Sequence, residues 1–266
     1  GYKTGYISTA MFSDGEREWL NDKKMTMLGR FFTQRLLKRT VKNKCDAVIV
    51  ETTSQGITQF RHQFINYDIL VFTGLYPEHI EAHGGFENYK KAKGRLFAHL
   101  KNCRKKNLGG KETVKTIIAN ADDEYANYFL NFWAEKKITF GIKNNSAEIK
   151  AQNVNSNNGL HFTVDNSHFD LDFLGDFNVV NSLAAISVAK ALDIPMERIK
   201  AGLEKVAVIP GRLEKISNDK NLTIIVDYAF EPNAAAKLYE TVKSISHNKV
   251  IHVLGSAGGG RDKSRR

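Results

Sequence analysis

The chain has 266 residues, of which 42% are hydrophobic and 26% are charged, and its formal net charge is +10. This composition is ordinary for a folded protein of one large or two ordinary domains. The longest apolar runs have only a few residues, far below the roughly 20 that cross a bilayer, and no signal peptide is visible. We therefore expect a cytoplasmic protein without a membrane partner.

The positive charge allows three interpretations. The first is that the chain binds nucleic acid. The second is that most lysines simply lie on exposed faces, and it is favoured because the lysines are scattered along the whole sequence. The third interpretation is a cleft for a polyanionic small molecule, because basic surroundings raise the local concentration of phosphates. We expect small-molecule substrates and no nucleic-acid partner.

The first part of the chain predicts alternating strands and helices. The predicted elements are a strand at residues 5–10, a helix at 27–42, strands at 46–52 and 68–73, a helix around Lys93 and a strand at 113–119. The continuous apolar runs have the length of strands that are buried on both faces, as in a parallel sheet. The alternation predicts a doubly wound α/β fold with a mostly parallel sheet.

The pattern changes in the second part of the chain. There the predicted elements are an antiparallel β patch at residues 138–173, helices at 178–192 and 196–206, a strand at 222–228, a helix at 233–246 and a strand at 250–255. Pro210-Gly211 interrupts this order and is our predicted boundary. We expect one domain at residues 1–209 and the beginning of a Rossmann-like α/β domain at 210–266.

Acidic residues end two of the predicted strands. Glu51 lies at the end of the strand at 46–52 and opens a polar turn, and Asp227 is in the same position in the strand at 222–228. Ligands of open α/β sheets bind at the carboxyl ends of strands, where a carboxylate can hold Mg²⁺. At Glu51, a carboxylate that caps the following helix is an equally good interpretation.

The predicted helix around Lys93 combines apolar and titratable side chains. Lys93 falls inside the apolar stripe, four residues from Tyr89 and from Phe97. Its ammonium must therefore reach water, pair with a charge or lose its own charge. His79 and His83 precede the helix, and His79 is the better candidate for a site because it lies closer to the preceding strand. His83 fits a packed or surface residue.

Two further loops follow predicted strands. Asn120 and the two aspartates after it fit a loop that caps a helix. Residues 255–260 are rich in glycine, but they match neither the phosphate-loop spacing nor the dinucleotide spacing. No Walker A sequence occurs among the 266 residues.

Taken in order, these segments resemble those of the Mur ligases over nearly the whole chain. The first is Glu-Thr-Thr-Ser-Gln-Gly-Ile at residues 51–57, with Arg61 beyond it. The others are Phe-Thr-Gly-Leu at 72–75, Glu-His at 78–79, His-Gly at 83–84, Tyr-Lys-Lys-Ala-Lys at 89–93, Asn-Ala-Asp-Asp at 120–123, Gly-Asp-Phe-Asn-Val-Val-Asn at 175–181, Pro-Gly-Arg-Leu-Glu at 210–214, Val-Asp-Tyr-Ala at 226–229 and Gly-Arg-Asp-Lys at 260–263.

The resemblance implies a fold and an activity. It implies that residues 1–209 belong to a P-loop-type central ATP-binding domain and that residues 210–266 begin the family's C-terminal domain. It implies a monomeric, ATP-dependent ligase of peptidoglycan synthesis, which adds an amino acid to a UDP-N-acetylmuramoyl peptide through an acyl phosphate.

The resemblance also implies roles for nine residues. Mg²⁺ and catalysis would depend on Glu51, His79 and a carbamylated Lys93. ATP would be bound by Asn178 at the adenine, Arg212 at the phosphates and Asp227 at the nucleotide, and the muramoyl peptide would be held by Thr26, Thr53 and Arg61. Carbamylation of Lys93 would turn a buried cation into an anion that suits Mg²⁺.

The sequence departs from the family pattern in places. Gly74 stands where the family has asparagine, Phe230 stands where it has histidine, and the phosphate-binding Gly-Lys-Thr loop is not among these residues. The first residue is Gly1 and the chain stops within a charged run, so we expect a piece of a longer protein. Because the phosphate loop is not among these residues, we expect that this piece alone does not turn over ATP. Two alternatives remain: a non-catalytic relative that binds nucleotide or muropeptide as a partner subunit, and a folylpolyglutamate or cyanophycin-type ligase.

Overall fold

The computed structural model describes residues 2–23, 25–77, 80–108, 110–156, 159–206, 208–229, 232–245 and 247–255. The chain divides into two compact units, residues 1–67 with 87–104 and residues 68–86 with 105–266. Among the described residues, no helix combines the length and the hydropathy that crossing a bilayer requires.

The helices and strands alternate along most of the described chain. The helices are α1 (Arg30–Lys42), α2 (Ser54–Thr58), α3 (Ile80–His83), α4 (Phe86–His99), α5 (Ala126–Leu130), α6 (Phe177–Ala191), α7 (Met196–Leu203) and α8 (Pro232–Ser244). The strands are β1 (Thr4–Ile7), β2 (Met11–Ser13), β3 (Glu18–Leu20), β4 (Ala47–Val50), β5 (Ile69–Phe72), β6 (Asn107–Leu108), β7 (Lys111–Glu112), β8 (Thr116–Asn120), β9 (Lys136–Gly141), β10 (Ile149–Lys150), β11 (Gln152–Asn155), β12 (Leu160–Val164), β13 (Ser167–Leu171), β14 (Glu214–Ile216) and β15 (Ile224–Val226).

The first unit contains a four-stranded mixed sheet in the order β3-β2-β1-β4. β1 pairs in parallel with β4 and antiparallel with β2. The expected burial of β4 on both faces is wrong at Ile49, whose side chain is 61% exposed. Because β4 is the last strand of its sheet, fewer neighbours cover it than cover a central strand.

The core of this unit forms where α1 meets the sheet. Phe12 is fully buried, and its ring centroid lies 5.9 Å from those of Trp19 and Phe32. The helix predicted from residue 27 begins at Arg30, after Gly29 with an extended ψ of 152°. Leu28 is therefore a core residue without being helical.

Helix α4 confirms the predicted apolar stripe around Lys93. The buried residues of the helix and of the 3₁₀ turn that follows it recur at helical spacing, and they include Tyr89, Ala92, Leu96, Phe97 and Leu100. Lys93 itself is half-buried. The stripe explains why this segment is helical: burying one face stabilises a helix more than propensity does.

The second unit contains a parallel sheet in the order β10-β9-β8-β5. All five residues of the central strand β8 are buried, as expected for a strand covered on both faces. Its Ile118 belongs to a core that also contains Phe140 of β9 and Leu183 of α6. The predicted α/β class with a mostly parallel sheet is confirmed.

The antiparallel patch begins later than the sequence pattern indicates. β9 overlaps the start of the predicted patch and β10 lies inside it, but β9 pairs in parallel with both β8 and β10. The antiparallel part is the sheet β11-β12-β13, with inward residues buried and outward residues partly exposed along β12 and β13. Periodicity alone does not distinguish the two pairings, because a short apolar run fits either.

The C-terminal part forms a smaller structure. β14 and β15 pair antiparallel, and α8 follows as predicted for residues 233–246. The strand predicted at 250–255 is wrong: these residues are described without a strand, and Val253 is 91% exposed. An apolar run becomes a strand only when a neighbour accepts its backbone hydrogen bonds, and among the described residues none pairs with it.

Candidate functional site

The carboxylate of Glu51 is held by Thr9. Glu51 follows β4 and Thr9 lies just after β1, so both are at the carboxyl ends of two paired parallel strands. The Thr9 backbone N–H donates to Oε2 of Glu51 at 2.6 Å, and the Thr9 hydroxyl donates to the carboxylate at 2.9 Å. A carboxylate offers about four lone-pair positions, so these two donors orient Glu51 and leave capacity for a cation.

Thr26 continues this chain of hydrogen bonds. Its Oγ1 lies 2.9 Å from Oγ1 of Thr9. Because the single hydroxyl proton of Thr9 points to Glu51, Thr26 acts as the donor to Thr9. The Thr9 hydroxyl therefore connects Thr26, which is predicted to hold the substrate, to Glu51, which is predicted to bind the metal.

Thr9 does not belong to any of the motifs that single out candidate site residues in the sequence. The available signal is its position near the end of the strand predicted at residues 5–10, as Glu51 lies near the end of the strand predicted at 46–52. Which strands are neighbours cannot be read from the pattern, and the role of Thr9 depends on β1 pairing with β4.

The turn after β4 packs on the segment that carries Thr26. Thr53 precedes α2 and its hydroxyl accepts the backbone N–H of Gly56 at 3.1 Å, as a helix cap does. Nη1 of Arg61 donates to the carbonyl of Met27 and lies 2.8 Å from Sδ of Met25. Arg61 thus contacts both neighbours of Thr26, and the first unit brings Thr26, Thr53 and Arg61 together beside Glu51.

Lys93 is in the same unit as Glu51. Its Nζ lies 5.2 Å from the ring centroid of Tyr89, one helical turn earlier, within the range of a cation–π contact. His79 lies outside the described residues, as do Phe230 and the predicted glycine-rich and Gly-Arg-Asp-Lys segments from residue 256 onwards. The set of Glu51, His79 and Lys93 therefore stays a prediction.

The side chains of the Asn-Ala-Asp-Asp segment at residues 120–123 form hydrogen bonds with two neighbouring loops. Both carboxylate oxygens of Asp122 accept backbone N–H groups of residues 142–144, at distances of 2.6 to 3.2 Å. Nδ2 of Asn120 donates to the carbonyl of Thr73 at 3.1 Å. Asp123 accepts a backbone N–H of the loop after β5 at 2.8 Å. These hydrogen bonds are sufficient to explain the polar side chains of the segment as structural residues that hold the loops in place.

Arg212 and Asp227 lie side by side in the second unit. Oδ2 of Asp227 accepts the backbone N–H of Leu213 at 2.7 Å. The guanidinium carbon of Arg212 lies 5.2 Å from the ring centroid of Tyr228, which follows Asp227. Leu213 has a φ of +46°, a left-handed conformation that the Asp227 hydrogen bond helps to maintain. The fold thus joins two predicted nucleotide-binding residues that are distant in sequence.

Asn178 lies in the first turn of α6. Its Nδ2 donates to the carbonyl of Leu174 at 2.8 Å, and its Oδ1 accepts from the side chain of Asn181 at 2.9 Å. Gly175 precedes the helix with a φ of +83°, and a Cβ there would lie 3.1 Å from the Leu213 side chain. The start of α6 therefore lies beside the turn that carries Arg212.

Two family comparisons cover the chain. The Mur ligase middle domain matches residues 2–189, and the Mur ligase, glutamate ligase domain matches residues 211–266. The chain is 34% identical over 275 residues to UDP-N-acetylmuramyl-tripeptide synthetase of Roseiflexus sp. (strain RS-1). The alignment covers 100% of this chain and 53% of the relative. It is also 33% identical over 270 residues to UDP-N-acetylmuramoyl-L-alanyl-D-glutamate--2,6-diaminopimelate ligase of Geobacillus kaustophilus (strain HTA426). That alignment covers 100% of this chain and 54% of the relative.

Solved structures show the same fold. A UDP-N-acetylmuramoyl-L-alanyl-D-glutamate--2,6-diaminopimelate ligase superposes with a TM-score of 0.71 at 24% identity, over 93% of this chain and 49% of that one. MurF from Acinetobacter baumannii superposes with a TM-score of 0.71 at 17% identity, over 92% of this chain and 49% of that one. The chain spans about half the length of the relatives it matches. With both domain families matched in order along the sequence, the chain belongs to the Mur ligase family.

Proposed function

We propose that this chain is part of an ATP-dependent, Mg²⁺-using ligase that adds an amino acid to a UDP-N-acetylmuramoyl peptide in peptidoglycan synthesis. The peptide carboxylate attacks the γ-phosphate of ATP, which forms an acyl phosphate and releases ADP. The amine of the incoming amino acid then displaces phosphate and forms the amide. The protein works as a monomer in the cytoplasm on these small-molecule substrates.

The observation that carries the proposal is the hydrogen-bonded series from Thr26 through Thr9 to Glu51. Its position at the ends of two parallel strands is where open α/β sheets bind ligands. The Glu51 carboxylate is a hard oxygen ligand that suits Mg²⁺. Thr26 places a second polar group next to it, which supports a substrate bound beside the ion.

We assign Mg²⁺ to Glu51, His79 and Lys93, with Lys93 as a carbamate. Bound Mg²⁺ supplies charge that offsets the negative charge on the transferred phosphoryl group. Lys93 is half-buried on an otherwise apolar helix face, where an ammonium is costly unless it is paired or modified. A carbamate at Nζ replaces that cation with an anion.

We assign the muramoyl peptide to Thr26, Thr53 and Arg61, and ATP to Asn178, Arg212 and Asp227. Arg61 is a fixed positive charge beside Thr26, and a guanidinium suits the carboxylates and phosphates of such a substrate. Arg212 is a second guanidinium, placed by the hydrogen bond between Asp227 and the Leu213 backbone. Asn178 contributes a side-chain amide at the start of α6, and an amide can form hydrogen bonds with the edge of the adenine base.

The test is a product assay with the full-length protein. UDP-N-acetylmuramoyl dipeptide, ATP and Mg²⁺ are supplied with diaminopimelate or lysine, and phosphate release is followed together with the mass of the peptide product. We expect a tripeptide product and one phosphate per amide bond. A folate substrate in place of the muramoyl dipeptide gives no product. Activity with folate and not with the muramoyl dipeptide would replace this proposal with the folylpolyglutamate ligase.

Two variants separate a ligase from a protein that only binds. Glu51→Gln removes the carboxylate charge and keeps its size, so we expect kcat to fall at least about a hundredfold. Glu148→Gln, an exposed carboxylate in the second unit, is the matched control and should leave kcat unchanged. Lys93→Ala should abolish product formation while binding of the muramoyl peptide persists. A wild-type protein that binds ATP and muropeptide without forming product would instead be the non-catalytic partner subunit.

A further inference from the structure

Three ligating side chains share the outward face of the hairpin β12–β13. His161 and Asp170 are directly opposite each other in the antiparallel register. His168 precedes Asp170 by two residues and therefore points to the same side. None of these residues belongs to the segments assigned above to ATP, Mg²⁺ or the muramoyl peptide.

The three side chains converge on one carboxylate oxygen. Nδ1 of His161 lies 2.6 Å from Oδ1 of Asp170, and Nε2 of His168 lies 3.0 Å from the same oxygen. The two imidazole rings are nearly parallel, at 12°, with centroids 6.5 Å apart. One ligand atom from each residue lies within 4.8 Å of the other two.

The opposite face of the hairpin fixes this arrangement. Phe162 and Phe169 point inward, are fully buried and stack with their centroids 5.1 Å apart at 7°. Both strands pair over five consecutive residues, so their relative register is set. The outward side chains remain 36% exposed at His161, 56% at His168 and 54% at Asp170, which gives an ion access from water.

We propose that His161, His168 and Asp170 form a binding site for a divalent transition metal, with Zn²⁺ as its best fit. Two imidazole nitrogens and one carboxylate oxygen supply three ligands, and water completes the tetrahedron. A set in which two of three ligands are imidazole nitrogens favours Zn²⁺ over the hard cation Mg²⁺, which prefers oxygen ligands. The magnesium set assigned to the ligase differs in this ratio, because it has a single imidazole, His79, beside two oxygen ligands.

The ligand spacing fits with a small adjustment. Zinc bonds of about 2.0–2.1 Å place tetrahedral ligand atoms roughly 3.3 Å apart. The Asp170 oxygen must therefore move away from both nitrogens by less than about 1 Å. The two ring nitrogens, which lie within 4.8 Å of each other, must also come to this spacing, and rotations of the exposed side chains provide both changes. The ion then replaces the hydrogen bonds that the carboxylate accepts from the two rings.

The test is zinc binding by the full-length protein prepared without a histidine tag. Competition with a chromogenic zinc chelator is measured in millimolar Mg²⁺, which occupies sites rich in oxygen ligands and competes poorly for a site with two imidazole ligands. We expect His161→Gln, His168→Gln and Asp170→Asn each to weaken zinc affinity at least about tenfold. Co²⁺ should give the visible absorption of a tetrahedral ion in the wild type and lose it in each variant.

Two matched variants serve as controls. Thr163→Ala changes a residue of the same outward face, paired with His168, and His252→Gln removes a histidine elsewhere in the chain. Both should bind zinc as tightly as the wild type. Circular dichroism establishes that each variant is folded. The proposal is overturned if the wild type binds no zinc, or if the three ligand variants bind zinc as tightly as the controls.

Discussion

At the scale of single residues, Thr9 decides where the Glu51 carboxylate points. It donates twice to that carboxylate, once from the backbone and once from the hydroxyl, and it accepts from Thr26. Hydrogen bonds to a charged group are stronger than neutral ones, and an exposed carboxylate without them samples several rotamers. Thr9 is thus a positioning residue for the proposed magnesium ligand.

We predict that Thr9→Val lowers kcat/KM about tenfold and raises the Mg²⁺ concentration needed for half-maximal rate. The substitution keeps the shape and the backbone N–H and removes one hydrogen bond to a charged acceptor, which is worth about 1.5–3 kcal/mol. The measurement is the steady-state rate of the full-length ligase as a function of Mg²⁺. Thr4→Val is the control, because the Thr4 hydroxyl donates to the carbonyl of Tyr2, at 3.4 Å, and has no hydrogen bond to Glu51. An unchanged Mg²⁺ dependence in Thr9→Val would contradict the positioning role.

The sequence was sufficient to predict which residue types matter and where strands end, but not which ends meet. Glu51 could be found because an apolar run stops at it, and Asp227 for the same reason. The bridge through Thr9 could not, because it depends on the pairing of β1 with β4. The contact of Asp227 with Leu213 likewise joins residues whose approach only the fold determines.

At the scale of elements, an ion-pair network connects the amino ends of β5 and β8. Nζ of Lys115 lies 2.9 Å from Oδ1 of Asp68, and the Lys115 side chain is 1% exposed. Lys106 pairs with Oδ2 of Asp68, and the Thr113 hydroxyl donates to Oδ1 at 3.1 Å. Burial alone would raise the pKa of Asp68, but hydrogen bonds from the two lysines outweigh it and hold the pKa below its usual value.

We predict that Asp68→Asn destabilises the protein by about 3 kcal/mol, because it removes a carboxylate that pairs with the buried ammonium of Lys115 at 2.9 Å. The measurement is the free energy of unfolding in urea at neutral pH. Asp165→Asn is the control, since the Asp165–Lys190 pair is 48% and 36% exposed and such surface pairs contribute about 0–1 kcal/mol.

The same pair predicts a pH dependence. A folded-state pKa below the unfolded value means that the stabilisation is fully present above the unfolded pKa of about 3.9. It is lost as the pH falls through the lower folded-state pKa. Between pH 5 and strong acid, the wild type should therefore lose more stability than Asp68→Asn. Parallel curves for the two proteins would contradict this contribution.

The helices were predicted more accurately than the strands, for a physical reason. Helices α1 and α4 close their own hydrogen bonds, so an apolar stripe at helical spacing is sufficient evidence. For α6, the richness in alanine was sufficient. A strand needs a partner, and the local pattern does not contain it. Hence β9 was assigned to the antiparallel patch although it pairs in parallel with β8, and residues 250–255 were predicted as a strand that the structure does not contain.

At the scale of the whole molecule, the net charge of +10 is the property that no single element explains. The substrates proposed here, ATP and a UDP-linked peptide, are polyanions, and a basic surface raises their local concentration. A net charge of this size is also found in proteins that bind nucleic acid. Such a protein neutralises many phosphates along a strand, whereas each of the proposed substrates carries only a few. Dependence on salt therefore distinguishes the two, because each phosphate contact that releases a counterion adds to the slope.

We predict that KM for the UDP-muramoyl peptide rises less than about tenfold between roughly 50 and 200 mM KCl, since only two phosphates are involved. A protein that contacts 6–10 nucleic-acid phosphates loses about 10³- to 10⁵-fold in affinity over that interval. The measurement is the steady-state KM of the full-length protein, beside its retention of a fluorescent duplex DNA at the same salt concentrations. Because Arg61 and Arg212 contribute through fixed geometry, their effect should persist at the higher salt. Tight DNA binding that disappears steeply with salt, together with a KM that does not change, would show that the basic surface serves nucleic acid instead of substrate.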